Sequence, residues 1–127
     1  MDEAKLRFID NNDGTVTDTQ TGLMWQQVDD GADRNWQDAQ EYAAALNIAG
    51  HDNWRLPTIQ ELQGLVDYER YDPAIDPIFH CASGYYGSGS TYASNQSYAW
   101  HVGFYGGYVG YASKTFGYYV RCVRTGL

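Results

Sequence analysis

The apolar residues change their spacing partway along the chain, and that change fixes the class of fold. From Trp36 to Val66 they fall in two helical stripes; from Tyr85 onward they alternate as strands do. In NWQDAQEYAAALNIAG, Trp36, Ala39, Tyr42, Ala43 and Leu46 recur at intervals of three and four, the core-facing stripe of a helix that Gly50 closes. In WRLPTIQELQGLVDY, Pro57 keeps the residues before it extended. Thr58 then opens a second helix with Glu61 three residues on, the pair that makes a capping box. Ile59, Leu62, Leu65 and Val66 are its buried stripe. Ahead of the helices, KLRFIDNNDGTVTDTQTGLMWQQ reads as a hairpin with turns at Asn12-Asp13-Gly14 and Thr21-Gly22. After the connector DPAIDPIF, the segments STYAS, YAWHVGF, YVGYAS and YYVRCVR read as strands. A hairpin, two helices and a sheet-rich second half make an α+β fold.

At 127 residues the chain is one domain, large enough to bury a core without metal or many crosslinks. Residues 1–84 read as scaffold, 85–119 as a region of unusual composition and 120–127 as a closing strand. No apolar run approaches the ~20 residues of a membrane span, so membrane insertion is not expected. The start, MDEAKLRF, has no apolar stretch and is not a signal peptide. All 16 acidic residues precede Pro77, giving the first part a net charge of −11, whereas residues 77–127 carry +3. That balance argues against nucleic acid as a partner, since phosphate neutralisation needs clustered Lys and Arg.

Motifs for chemistry are missing. Asp10-Asn11-Asn12-Asp13-Gly14 resembles a calcium loop but puts glycine where an EF-hand needs an oxygen ligand, so it reads as a turn. Gly87-Ser88-Gly89 lacks the spacing of a nucleophile elbow, and no glycine set matches a dinucleotide or phosphate loop. His51, His80 and His101 are scattered. Neither a catalytic constellation nor a cofactor or metal site is expected. The two cysteines, Cys81 and Cys122, leave two readings open: two buried thiols, or one disulfide tying the last strand to the loop after Pro77.

The segment HVGFYGGYVGYASKTFGYY, residues 101–119, holds seven aromatics, five glycines and one charge. Alternation puts Tyr98, Trp100, Val102 and Phe104 on a core face, with Ala99, His101, Gly103 and Tyr105 opposite and Gly106-Gly107 as the turn. Tyrosine, serine and glycine are the residues that dominate paratopes: tyrosine gives rigid amphipathic contact, and the small residues give adaptability.

RFIDNNDGTVTDTQTGLMWQ, AGHDNWRLPTIQELQGLVDY and YYVRCVR, in that order, resemble the Lcl C-terminal-like domain family over residues 7–124. The resemblance implies a C-type-lectin-like fold near the formylglycine-generating-enzyme branch. Members commonly carry YYWSST where this chain has Tyr85-Tyr86-Gly87-Ser88-Gly89-Ser90, and often a cysteine where it has Ala43. The tail is also similar to the variable proteins of diversity-generating retroelements, in which adenine-directed mutagenesis rewrites Asn codons. Gly, Tyr, Ala, Ser, His and Phe are all reachable from an AAC codon through its adenines; Trp, Lys, Met, Glu and Gln are not, and none sits at a candidate position. The likeness implies a non-enzymatic module of bacterial or phage origin that binds a protein or cell-surface ligand, in a surface, secreted or virion-associated setting. Its implied binding residues are His101, Gly103, Tyr105, Gly106, Gly110, Tyr111, Ala112, Ser113, Phe116, Gly117 and Tyr118, joined by Gly87 and Gly89. Two rivals stand beside it. A calcium-dependent lectin would need EPN or QPD and WND motifs, which are absent, leaving a calcium-independent glycan or sulfated-polymer binder. An oxidase of the formylglycine type would need a paired cysteine site, which Cys81 and Cys122 do not obviously offer.

Overall fold

The computed structural model describes residues 6–125. Lys5 of the first expected strand, the start of the leader reading and positions 126–127 of the closing strand lie outside the described residues. Four strands, β1 (Phe8–Asp10), β2 (Thr15–Asp18), β3 (Leu23–Gln26) and β9 (Val123–Thr125), form an antiparallel sheet in the order β1-β2-β3-β9. Five more, β4 (Asp33–Arg34), β5 (Tyr85–Thr91), β6 (Tyr98–Gly103), β7 (Tyr108–Ser113) and β8 (Tyr118–Tyr119), form a second sheet in the order β4-β8-β5-β6-β7. Its pairings are antiparallel except that of β5 with β8. With α1 (Trp36–Ala45) and α2 (Ile59–Gln63) the fold is α+β, as the change of period requires.

Two cores hold it together. Val16, Trp25 and Val123 stand in register across β2, β3 and β9, all fully buried, and pack with Tyr86, Val102, Phe104 and the α2 residues Ile59 and Leu62. A second cluster of Ala39, Ala43, Trp54, Leu56, Val120 and Cys122 fills the space under α1. The α2 capping box is complete: Glu61 N–H donates to Thr58 Oγ1 at 3.1 Å, and Thr58 N–H donates to Glu61 Oε1 at 2.9 Å.

Local chemistry overrides the expected pattern in several places. Helix α1 stops at Ala45 rather than running to Gly50. Ala49 and Gly50 both take positive φ, 56° and 78°, and close a tight hairpin in which Ile48 and His51 exchange backbone hydrogen bonds. STYAS is not a strand of its own: β5 ends at Thr91 and a turn follows. YYVRCVR is not one strand either, because β8 and β9 belong to different sheets and residues 120–122 carry the chain between them. Phe104 lies in the turn after β6 but is fully buried, as a core face requires.

The disulfide is not formed; Cys81 and Cys122 are both free. Consecutive side chains of an extended segment point opposite ways. Cys122 is buried in the α1 core, where burial pushes its thiol up to about 12. Cys81 packs against the other core, and burial raises its thiol despite the Arg121 guanidinium beside it.

Candidate functional site

The register of the five-stranded sheet sorts the tyrosine-rich segment into two faces. Directly paired residues share a face. Tyr86 on β5, Val102 on β6 and Val109 on β7 align on the inner face. Tyr85 and Gly87 align with Gly103 and His101, which align in turn with Tyr108 and Gly110, on the outer face. The α1 end of this outer face is covered. There Gly89 lies against Leu56 and Gln40, and a small cavity is lined by Trp36, Ala39, Ala99 and Lys114. Among the described residues no helix covers the other end.

That open half is a continuous aromatic surface. Tyr85 sits at its centre and meets His101, Tyr105 and Tyr118 edge-on, with ring centroids 4.9, 5.6 and 6.4 Å away. The hydroxyls of Tyr85 and Tyr105 are hydrogen-bonded at 3.1 Å. Tyr105 continues to Tyr108 at 5.2 Å, and His101 stacks on Tyr118 at 5.1 Å. Tyr108 and Phe116 stay well exposed, at 59% and 58%. Such aromatic pairs contribute roughly 0.5–1.5 kcal/mol each beyond their buried area, so the surface orders itself without a covering layer.

His101 is less open than its alternation predicts. It is half-buried between Tyr85 and Tyr118, its Nδ1 is buried without a hydrogen-bond partner, and burial holds its pKa below 6.5. Gly103 is buried rather than solvent-facing, because the Tyr85 and Tyr105 rings close over it.

The structure brings together His101, Gly103, Tyr105, Gly110, Tyr118 and Gly87, with Gly106 in the turn beside Tyr108; Phe116 and Gly117 lie in the loop before β8, Gly117 against Asp33. It separates four others. Tyr111 and Ser113 pair with Trp100 and Tyr98, so they lie on the inner side of the edge strand β7. Tyr111 there stacks on Tyr92 at 3.9 Å. Ala112 pairs with buried Ala99 toward the α1 end, and Gly89 packs on scaffold. Because β7 is an edge strand, Tyr111 still keeps 45% of its surface exposed.

Sequence reasoning missed Tyr85 and Tyr108 as members of the face, and Tyr68 and Tyr71 beside it. Tyr68 donates a long 3.5 Å hydrogen bond to the Gly107 carbonyl, and Asp72 N–H donates to the Tyr105 carbonyl at 3.0 Å. These contacts pin the loop after α2 against the β6–β7 turn. The signal was YERYDP, two tyrosines outside any apolar stripe.

The glycines divide by what surrounds them. Gly103, Gly106 and Gly110 have ordinary φ, and an added Cβ would meet ring atoms of Tyr85, Tyr105, Tyr108 or His101, side chains of the same face. Gly87 has ordinary contact room beside Tyr118. Gly107, outside the candidate set, has φ +86°, and a Cβ there would lie 2.6 Å from Val66. Among the described residues no group of three His, Cys, Asp or Glu could hold a metal ion.

A family model described as the Lcl C-terminal domain matches residues 14–124 of the chain. No curated protein matches it.

Two outcomes test the site's construction. Gly87→Ser is expected to change unfolding free energy by no more than about 0.5 kcal/mol, whereas Gly107→Ala should cost ~1 kcal/mol or more through its positive φ; urea denaturation measures both, and equal costs contradict the division. A histidine whose folded pKa is depressed stabilises fully above its unfolded value and loses that contribution as pH falls below about 6.5. The parent should therefore lose more stability between pH 7 and about pH 5.5 than His101→Phe does, and parallel losses would contradict the burial of this ring.

Proposed function

The chain belongs to the Lcl C-terminal domain family, and from that membership we propose that it is a non-enzymatic binding module of C-type-lectin-like fold whose ligand is a protein or cell-surface epitope. The observation that carries this reading is the uncovered half of the outer sheet face, where Tyr85, Tyr105, Tyr108 and Tyr118 form one aromatic surface beside glycines of ordinary φ. A surface of this kind suits a protein partner, since rigid aromatic side chains carry most of the energy at protein interfaces. The buried apolar face opposite it supplies stability independently.

The same arrangement supports diversification by a retroelement. Substitution at Gly87, Gly103, Gly106 or Gly110 requires only that rings of the same face move, and of those rings His101, Tyr105 and Tyr118 are themselves candidate positions. Gly107, which cannot vary without strain, is not among them. A neighbouring reverse-transcriptase gene, with a near-copy of the 3′ coding repeat differing at adenines, is the genomic signature to seek.

Calcium-independent glycan binding is the second reading, because tyrosine rings can also stack on sugar. A double variant, Tyr105→Ser with Tyr108→Ser, separates the two when it and the parent are applied to arrays of glycans and of cell-surface proteins, with and without calcium. Protein binding that falls at least about tenfold in the double variant, with the melting temperature kept, is the expected result. A sugar signal that is calcium-independent and lost in the same variant would favour the second reading. Binding unaffected by the double variant would contradict both.

A further inference from the structure

The charges around the aromatic face specify what can sit on it. Among the described residues every cation is engaged away from the face or already paired. Arg70 bonds Asp67 at 3.0 Å, Arg34 pairs with Asp30, and Lys114 Nζ lies 4.0 Å over the Trp36 ring. Arg7 and Arg55 pair with Asp18 and Glu61, Arg124 donates to Asn53 at 2.6 Å, and Arg121 is fully buried. The acids behave differently. Asp72 is exposed in the loop that hydrogen-bonds Tyr105, and among the described residues its carboxylate accepts only from the Ser83 hydroxyl, two residues before Tyr85. Glu69, in the same loop between Tyr68 and Tyr71, is also exposed. Among the described residues Asp72 thus has no cationic partner and sits at the edge of the tyrosine rings, with exposed Glu69 in the same loop.

Tyrosine faces carry negative quadrupole density and attract cations, arginine above all because its guanidinium is weakly hydrated and stacks flat. The Asp72 carboxylate at the rim adds a field of the same sign, which steers basic partners and repels acidic ones. Tyr71, 75% exposed and adjacent to Asp72, adds a ring from the scaffold loop. We propose that the occupant of the face is a basic segment of a partner protein, with an arginine or lysine side chain lying over Tyr105 and Tyr71 within reach of Asp72. This rests on the binding-face reading above and names the chemistry of its partner. It also places Tyr71 and Asp72, outside the 85–119 segment, in the contact.

The test is selection of a random 12-residue peptide library on the immobilised full chain at about physiological salt, followed by affinity measurement on synthetic copies of the recovered peptides. Recovered sequences should be enriched in arginine or lysine. Their affinity should fall about tenfold with Tyr105→Ser and roughly two- to fivefold with Asp72→Asn, which keeps a residue able to adopt the φ of 54° at that position. Asp52→Asn, in the exposed turn after α1, should leave affinity unchanged. Peptides without basic residues that still depend on Tyr105 overturn the cationic partner and leave the binding face standing. Basic peptides weakened equally by Asp52→Asn also overturn it, since attraction to net charge would then suffice. Peptides insensitive to Tyr105→Ser, or no peptides at all, contradict the proposal and the binding face together.

Discussion

Arg121 is the residue through which the two sheets and the two cores are joined. Its guanidinium is fully buried and donates to the carbonyls of Gln26, Gln27 and His80 at 2.7, 2.8 and 2.6 Å. It lies over the rings of Phe79 and Tyr86 at 5.0 and 5.4 Å. The Tyr86 hydroxyl donates to buried Asp29 and accepts from Ala82 N–H at 2.9 Å, and burial with the Asp29 bond raises its pKa. A buried cation is tolerated only when such charge-assisted bonds and ring contacts offset its lost hydration. Here they draw the end of β3, the loop before β5 and the segment after β8 onto one point. Its neighbours Val120 and Cys122 point the other way, into the core under α1. The chain must therefore leave one sheet at Tyr119 and enter the other at Val123.

That junction frees the outer face of the five-stranded sheet. Stability is concentrated in the inner face and in the α1 core, where Trp25, Tyr86, Val102 and Phe104 are fully buried. The outer face is packed only where α1 covers it. Beyond α1, rings rest on one another rather than on the core, and glycines beneath them let the rings lie close over the strands. A surface built so can change its side chains while the fold stays fixed, which is the property a variable binding module needs.

Much of this was legible in the sequence because it rests on local rules. The α2 capping box, the turn at Gly14 and the inward Val102 and Phe104 follow from spacing alone. What was not legible depends on long-range partners. The end of α1 was missed because Gly50 serves a hairpin rather than a helix cap. YYVRCVR was read as one strand because alternation cannot show that a buried arginine divides it between sheets. The candidate residues were read as one face, yet Tyr111 and Ser113 point inward, since only the register of β6 against β7 assigns the sides of an edge strand. Tyr85 was overlooked although Gly87 and Gly89 of the same strand were taken, because only the pairing of β5 with β6 shows that Tyr85 lies beside Gly103 and His101.

The central claim is that the aromatic face lies outside the set of residues that hold the fold. Urea unfolding of a triple variant, Tyr105→Ser, Tyr108→Ser and Phe116→Ser, set beside the single Phe104→Ala, measures this most directly. Phe104→Ala should cost roughly 3–5 kcal/mol, and the three outer substitutions together should cost less than that one. A triple variant destabilised as much as Phe104→Ala, or unable to fold, would mean that the outer rings are core, and the division between scaffold and binding surface would be wrong.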